Sequence, residues 1–112
     1  MNKPGERSLM SRLSKRATIL RSVEASGEYG GPVETWEPVC DVWAAVEPLR
    51  GQEYFTAGRE GANVTTRIRI RYREAINRTM IVRCDGIDFE ILSIIDPEFR
   101  HREMQLMCKE RQ

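Results

Sequence analysis

Few of the side chains that usually carry enzyme chemistry occur in this chain of 112 residues. Its single histidine, His101, lies in a charged segment, so the sequence offers no histidine pair and no histidine-based metal site. It also contains no glycine-rich phosphate loop and no GxSxG nucleophile turn. Carboxylate pairs occur at Asp85 with Asp88 and at Asp96 with Glu98, but nearby arginines favour a solvated surface at both. We therefore expect no catalysis, no cofactor and no bound metal.

The three cysteines, Cys40, Cys84 and Cys108, are odd in number and far apart. This spacing predicts neither a disulfide framework nor a CxxC metal or redox site, and we interpret them as small buried apolar residues. No apolar run approaches the roughly 20 residues of a membrane-spanning helix. No apolar segment typical of a secretory signal follows the basic N-terminal residues. The sequence predicts folding in a reducing cytoplasm, without membrane contact.

A set of alternating arginines, here called the arginine comb, is the strongest electrostatic feature. Its members are Arg67, Arg69, Arg71 and Arg73. Because apolar residues separate them, all four lie on one face of a predicted strand. Two interpretations are open: the comb contacts phosphates or an acidic neighbour, or it pairs within its sheet with carboxylates such as Asp88 or Glu90. No aromatic residues alternate with the arginines on that face, which disfavours stacking on single-stranded nucleic acid.

Charge alternates in blocks along the chain, although the formal net charge is only +1. Residues 1–23 and 61–83 each sum to +5, whereas residues 24–60 sum to −6 and residues 84–112 to −3. A nucleic-acid-binding domain usually carries a basic excess, whereas alternating blocks let strands pair within a subunit or across a subunit boundary. The pattern favours protein contacts over a grip on DNA.

Apolar residues alternate with polar ones in several segments, and this period of two predicts β-strands. The predicted strands cover residues 17–22, 33–46, 64–73, 80–84, 87–95 and 104–109. Pro38 should mark a bulge or an edge, and the Asp85-Gly86 turn should join a hairpin in which Arg83 faces Asp88. The expected fold class is all-β, a small antiparallel barrel or sandwich of about six strands. One long loop, from residue 49 to residue 61, should contain a short helical turn.

Some apolar residues lie where a half-buried strand would be polar. Leu92 and Ile94 are predicted on the face opposite Ile91, so another sheet, a helix or a neighbouring subunit should cover that face. Trp36 and Trp43 are expected to anchor the core or an interface and not to stack on a ligand.

The chain length suits one domain, which we predict over residues 16–112, preceded by an N-terminal arm of residues 1–15. The arm mixes proline, glycine, serine and charges. It is either a disordered end or a segment that orders against a neighbouring subunit.

Several motifs together resemble one protein family. They are RATIL at 16–20, EYGGPVETW at 28–36, VWAAVEPL at 42–49, GQEYF at 51–55, the arginine comb, residues 80–89 with their Asp-Gly turn, IDP at 95–97 and EMQL at 103–106. In order and spacing they resemble the head–tail joining proteins, also called head closure or stopper proteins, of tailed phages, prophages and gene transfer agents. The resemblance covers about residues 16–110.

This resemblance implies a structural virion protein, a head–tail connector that assembles as a dodecameric ring below the portal-bound adaptor. The ring would complete and close the DNA channel, retain packaged DNA and provide the tail attachment surface. Implied partners are other copies of the chain, the adaptor, the tail terminator or tail tube protein, and double-stranded DNA passing through the channel. The protein would assemble in the host cytoplasm and remain at the head–tail interface of the virion.

The resemblance also implies that the loop after the second long strand faces the channel. Its residues here are Arg50, Gly51, Gln52, Glu53, Tyr54, Phe55, Arg59 and Glu60. A channel in which DNA slides should avoid a continuous cationic lining, because each phosphate contact adds grip. The arginine comb is therefore predicted at a subunit or adaptor interface. The predicted interface residues are Arg67, Arg69, Arg71, Arg73, Leu92 and Ile94.

One alternative of a different class remains, a stand-alone β-barrel module that binds nucleic acid or a peptide. Such a module would be a soluble monomer whose basic strand binds DNA at moderate salt. A connector would instead bind DNA weakly and form a ring on its partner.

Overall fold

A computed structural model describes residues 12–26, 30–50 and 64–111, and six antiparallel β-strands account for most of them. The strands are β1 (Lys15–Ser26), β2 (Pro32–Pro48), β3 (Thr66–Arg71), β4 (Ile81–Cys84), β5 (Ile87–Ile95) and β6 (Glu103–Glu110). A 3-10 turn at Pro97–Phe99 lies between β5 and β6. The sheet closes into a barrel in the order β1-β2-β3-β6-β5-β4. The predicted all-β class is confirmed, whereas the helical turn predicted in the long loop lies outside the described residues.

The barrel closes because β1 has a neighbour on each side, β2 along its whole length and β4 through Thr18–Leu20. Strand β3 lies between β2 and β6, which are far from each other in sequence. Closure of this kind leaves no free edge strand in the barrel itself.

Inward-facing side chains fill the barrel. Strand β3 shows the expected alternation, with Ile68 and Ile70 fully buried between its arginines. The largest fully buried side chains are Ile19, Ile68, Ile70, Val82, Leu106 and Cys108. A small barrel of this kind has a packed interior and is not a pore.

The predicted burial of the three cysteines is confirmed only in part. Cys84 and Cys108 are buried, whereas Cys40 is half-buried, and all three are free thiols. Burial raises the pKa of the Cys108 thiol to about 12. This thiol is therefore protonated at neutral pH and acts as an apolar side chain.

The β4–β5 hairpin forms as the sequence predicted. Asp85 and Gly86 have φ values of 53° and 77°, which match the two-residue turn that suits the twist of a hairpin. Arg83 lies opposite Asp88, and its Nε and Nη2 donate to the carboxylate at 2.7 and 3.1 Å.

Two bulges interrupt the regular alternation. In β2 the register shifts between the partners of Ile19 and Leu20, so that Val39 is the extra residue beside Pro38. This confirms the bulge predicted at that proline. In β5 the register shifts between Ile91 and Ser93, and Leu92 is the extra residue.

The bulge at Leu92 changes which face the following residues occupy. Ile94 lies opposite the core residue Leu106 and packs against the main core. Leu92 packs instead into a separate cluster with Leu49, Val64 and Met107. The prediction that Leu92 and Ile94 share a second face was therefore wrong, because an added residue reverses the alternation of a strand.

Strands β1 and β2 extend beyond the barrel as a two-stranded ribbon, defined here as residues 21–26 and 32–37. Strand β4 pairs with β1 only as far as Leu20, and β3 pairs with β2 only from Ala44 onwards. Past these points β1 and β2 pair with each other as far as Ser26 and Pro32. Within the described ranges, no third strand pairs with the ribbon.

Candidate functional site

The outward face of β3 presents the arginine comb, and the first half of the comb is neutralised by the neighbouring strands. The side chain of Arg69 is 17% exposed and lies between carboxylates from β2 and β6. Its Nε donates to Glu47 Oε1 at 2.8 Å, and its Nη1 donates to Glu103 Oε1 at 3.4 Å. Arg67 Nη1 lies 3.7 Å from the same Glu47 oxygen. This half of the comb therefore pairs within the sheet, as one of the two interpretations proposed.

The carboxylate partners of Arg67 and Arg69 differ from those that the sequence suggested. Asp88 pairs with Arg83, and Glu90 lies 3.9 Å from Lys109. Neither carboxylate reaches the comb, because β3 is flanked by β2 and β6 and not by β5.

The ion pairs of Arg69 offset the cost of burying its guanidinium group. Burial lowers the pKa of Arg69, but the hydrogen bonds and charges of Glu47 and Glu103 outweigh it, so the pKa lies above its ordinary value. A single guanidinium thus joins three strands of the barrel through charge-assisted hydrogen bonds.

The second half of the comb, Arg71 and Arg73, is exposed and borders a groove. Strands β2 and β3 stop pairing at Ala44 and Ile70, and the groove lies beyond this point. Its volume is about 580 Å³. The groove is lined by Leu13, Arg16, Asp41, Val42, Trp43, Arg71 and Arg73.

Trp43 is the central apolar residue of the groove and is 53% exposed. The Arg16 guanidinium lies over its ring, 5.2 Å from the centroid, which is within cation–π distance. Asp41 accepts a hydrogen bond from Thr18 Oγ1 at 2.7 Å and lies 3.8 Å from Arg16 Nη2. The exposure of Trp43 excludes it from the core of the protomer, and its interface role stays a prediction.

The groove has the chemistry of a binding surface. Its described lining includes three arginines and one aspartate. Guanidinium groups bind carboxylates and phosphates through parallel hydrogen bonds, and a tryptophan adds apolar contact area. These residue types suit a contact surface, and among the described lining residues no nucleophile has an adjacent base.

The single histidine contacts Asp96 and Tyr72. His101 is exposed, its Nδ1 lies 3.4 Å from Asp96 Oδ2, and its ring meets the edge of Tyr72 at a centroid distance of 4.4 Å. Its backbone nitrogen donates to Asp96 Oδ1 at 3.0 Å, which fixes the turn before β6.

No cluster of three potential metal-ligating side chains occurs in residues 12–26, 30–50 and 64–111. That same part of the chain holds no helix with the length and apolar character needed to cross a membrane.

Of the segment predicted to face the channel, the structure describes Arg50. Arg50 is exposed, whereas Gly51, Gln52, Glu53, Tyr54, Phe55, Arg59 and Glu60 lie outside the described residues. The two flanks of the segment are held together, because Leu49 N donates to Thr65 O at 2.9 Å and Leu49 packs with the buried Val64. Leu92 and Ile94 are half-buried, and their predicted interface role remains a prediction.

Together these features define a small β-barrel with a packed interior and a groove on its outer surface. The sequence matches the family model for phage head completion proteins over residues 9–111. The chain therefore belongs to the phage head completion protein family, a family of structural virion proteins and not of enzymes.

Individual relatives agree with this assignment. Head completion protein gp7 of Enterobacteria phage HK97 is 28% identical over 103 residues, which cover 88% of this chain and 92% of gp7. The solution structure of protein SF1141 from Shigella flexneri 2a superposes with a TM-score of 0.73 at 29% identity, covering 92% of this chain and 96% of that one. A chain in the virion of a native gene transfer agent particle shares the fold, with a TM-score of 0.61 at 22% identity, covering 89% and 96%.

Proposed function

We propose that the protein is a head–tail connector subunit that forms a ring below the portal-bound adaptor. The ring completes and closes the DNA channel and provides the surface to which the tail terminator or tail tube protein attaches. The observation that carries this proposal is the match to head completion proteins over residues 9–111, which include all six described strands.

The packing of the barrel supports a ring. Ile68, Ile70 and Leu106 belong to the core inside the barrel and are fully shielded from solvent, so DNA cannot pass through a single protomer. In the proposed ring, the channel therefore lies between protomers arranged around an axis. Contacts between two different surfaces of the same chain generate such rings when the rotation closes. The dodecameric copy number rests on the family resemblance.

The channel is assigned to the segment over residues 50–60, which belongs to the acidic block of residues 24–60 with a net charge of −6. An acidic lining lets DNA slide because it makes few phosphate contacts. The anchored flanks at Leu49 and Val64 would hold both ends of this segment on the barrel. We also propose that residues 1–15 act as an arm and that residues 16–112 form one domain.

Deletion of the gene, followed by electron microscopy of the particles, tests the connector function. Heads that are full but leak DNA or fail to join tails support the proposal, and normal infectious particles refute it. The alternative binding module predicts that the purified chain shifts duplex DNA in a gel at moderate salt, and that deletion leaves head–tail joining intact.

A charge reversal tests the channel assignment separately. The variant Glu53→Lys/Glu60→Lys replaces two negative charges with two positive ones, which raises the formal net charge of each protomer by four. It should slow DNA ejection at low salt because phosphate contacts are salt-dependent. The matched control is Glu98→Lys/Glu110→Lys, at two exposed carboxylates outside the segment. Equal ejection rates for the two variants would place the segment outside the channel.

A further inference from the structure

We propose that Phe99 of one copy of the chain packs into the groove beside Trp43 of the next copy. This inference rests on the proposed ring and names two surfaces that join neighbouring protomers. Two features of the chain carry it: an exposed aromatic side chain held on a strained turn, and a groove with an apolar floor. The contact depends on apolar burial and ring stacking, and it needs no difference in charge between the two surfaces.

Phe99 is the most exposed large apolar residue in the described ranges. It is 87% exposed, whereas the next in order, Trp43, is 53% exposed. Single apolar residues are common on protein surfaces, so exposure alone assigns no role to Phe99. The backbone that carries it is the second observation.

The turn over residues 96–101 holds Phe99 outward at a conformational cost. Glu98, Phe99 and His101 have φ values of 57°, 55° and 56°, a left-handed region that bulky residues rarely occupy. Asp96 fixes the turn, because its carbonyl accepts from Phe99 N and its Oδ1 accepts from His101 N, both at 3.0 Å. Backbone strain of this kind is concentrated at sites of function. The turn presents a preorganised aromatic side chain, which loses little conformational freedom on binding.

The groove offers a place for an aromatic ring. Leu13 and Val42 line it and are only 7% and 6% exposed, so they form an apolar floor beside Trp43. The volume of about 580 Å³ falls within the range of about 300–1,000 Å³ that holds small organic ligands, so a phenyl ring fits. Such a ring can meet the indole of Trp43 edge to face or in an offset stack.

The arginines around the groove can pack on this ring while they keep their ion pairs. Arg16 already combines the two contacts: its guanidinium lies 5.2 Å from the centroid of Trp43, and its Nη2 lies 3.8 Å from Asp41. A guanidinium group stacks on aromatic rings through its planar face and donates hydrogen bonds from its edge. The fit therefore requires no unpaired arginine.

The contact must form between two chains, because Phe99 is too exposed to occupy the groove of its own protomer. Both surfaces lie at one end of the barrel. Glu103, which follows the turn, pairs with Arg71 at the end of β3, and Arg71 lines the groove. They lie on different sides of β3, since the groove opens towards β2 and the turn joins β5 to β6. Different surfaces at the same end give a head-to-tail contact that a rotation can repeat, as a ring requires.

Photo-crosslinking from position 99 tests the inference directly. A chain in which benzoylphenylalanine replaces Phe99 is mixed with an equal amount of native chain labelled with heavy isotopes. The mixture is added to packaged heads that lack the protein and is then irradiated. Mass spectrometry should find the unlabelled peptide with position 99 joined to the labelled peptide that contains Trp43. Crosslinks solely to another head or tail protein would assign Phe99 to that protein and overturn the inference, as would the absence of crosslinks between copies.

Two glycine substitutions separate the Phe99 side chain from the shape of its turn. Glycine suits a φ of 55°, so the melting midpoint of Phe99→Gly should change little, because relief of strain offsets the added freedom of the unfolded chain. The protein concentration that half-protects packaged DNA from nuclease should nevertheless rise by about tenfold or more, because each contact loses a buried phenylalanine.

The matched control is Glu98→Gly, which relieves the neighbouring left-handed residue. The side chain of Glu98 contacts Arg100 at 2.9 Å, and its loss should leave the half-protecting concentration unchanged. Equal losses of protection for Glu98→Gly and Phe99→Gly would show that the stiffness of the turn matters and not the ring, which would overturn the inference.

A double variant tests whether Phe99 and Trp43 belong to the same contact. Trp43→Ala should raise the half-protecting concentration to a similar degree as Phe99→Gly. The variant that carries both substitutions should be no worse than the weaker single variant, because two halves of one contact are not additive. Losses that multiply would place the two residues in separate contacts and refute the pairing.

Failure of this inference is distinguishable from failure of the proposed function. If gene deletion gives leaking or tailless heads while Phe99→Gly protects DNA as the native chain does, the connector function holds and the contact of Phe99 with the groove is refuted. If deletion leaves normal infectious particles, the connector function itself is refuted.

Discussion

The two halves of the arginine comb carry the same residue type on the same face, yet they lie in different environments. The side chains of Arg67 and Arg69 are 18% and 17% exposed and contact carboxylates of their own barrel. Arg71 and Arg73 are exposed and border the groove around Trp43. The difference arises because both β2 and β6 flank β3 at Arg69, whereas the pairing of β2 with β3 ends at Ile70. The neighbouring strands thus decide how deeply each arginine of the comb is buried.

The largest effect on stability within this comparison is expected for Arg69→Ala. The substitution leaves Glu47 and Glu103 in a half-buried site without their shared donor, so the free energy of unfolding should fall by about 2 kcal/mol. Urea denaturation measures the change. An unchanged denaturation midpoint would show that the first half of the comb does not stabilise the barrel.

A smaller loss, about 1 kcal/mol, is expected for Arg69→Lys in the same denaturation experiment. Lysine keeps the charge but lacks the planar fork with which arginine reaches Glu47 and Glu103 together. A loss equal to that of Arg69→Ala would mean that hydrogen-bond geometry contributes more than charge. No loss at all would mean that charge alone is sufficient.

The exposed ion pair between Arg83 and Asp88 gives a reference for both halves of the arginine comb. The hydrogen bond from Arg83 lowers the pKa of Asp88, burial opposes this, and the charges of Arg83 and Arg111 lower it further. Because the pKa is depressed in the folded state, the stabilisation is present above the unfolded-state pKa and is lost as the pH falls through the folded-state pKa. Because this ion pair is exposed, Arg83→Ala should destabilise the protein less than Arg69→Ala at pH 7. The deficit in its free energy of unfolding should vanish in strong acid. Denaturation curves over a pH series test this, and a deficit that grows towards low pH would contradict the assignment.

The smallest effect on stability is expected for Arg73→Ala, at an exposed position beyond the end of β3, a change within about 0.5 kcal/mol. The same variant should impair DNA retention when it is added to heads, since Arg73 belongs to the predicted interface. Denaturation and nuclease protection of the one variant separate the two roles. A marked loss of stability would remove the distinction between the halves.

Local patterns predicted much of the fold. Period-two alternation located the strands, and the Asp85-Gly86 turn fixed the pairing of Arg83 with Asp88, because a two-residue turn sets the register of its own hairpin. Pro38 correctly marked the bulge at Val39, since proline cannot continue a regular ladder. In each case the signal and its structural consequence lie within a few residues of each other.

Non-local features were not predictable in this way. The carboxylate partners of Arg69 depend on β3 lying between β2 and β6, and nothing in the spacing of the arginines encodes that order. The bulge at Leu92 depends on how β5 meets β6, and it moved Ile94 to the core side against the alternation of its strand. The groove likewise required knowing where β2 and β3 stop pairing.

The joint use of Arg69 by two strands has an evolutionary consequence. Its carboxylate partners are 22 and 34 residues away in sequence, yet the three side chains share one half-buried site. A lineage that replaces one of these charges leaves the others poorly solvated, so substitutions at positions 47, 69 and 103 should accumulate as compensating sets. The proposed interface predicts instead that position 73 changes together with its partner, so covariation across head completion proteins would separate residues that maintain the barrel from residues that follow a partner.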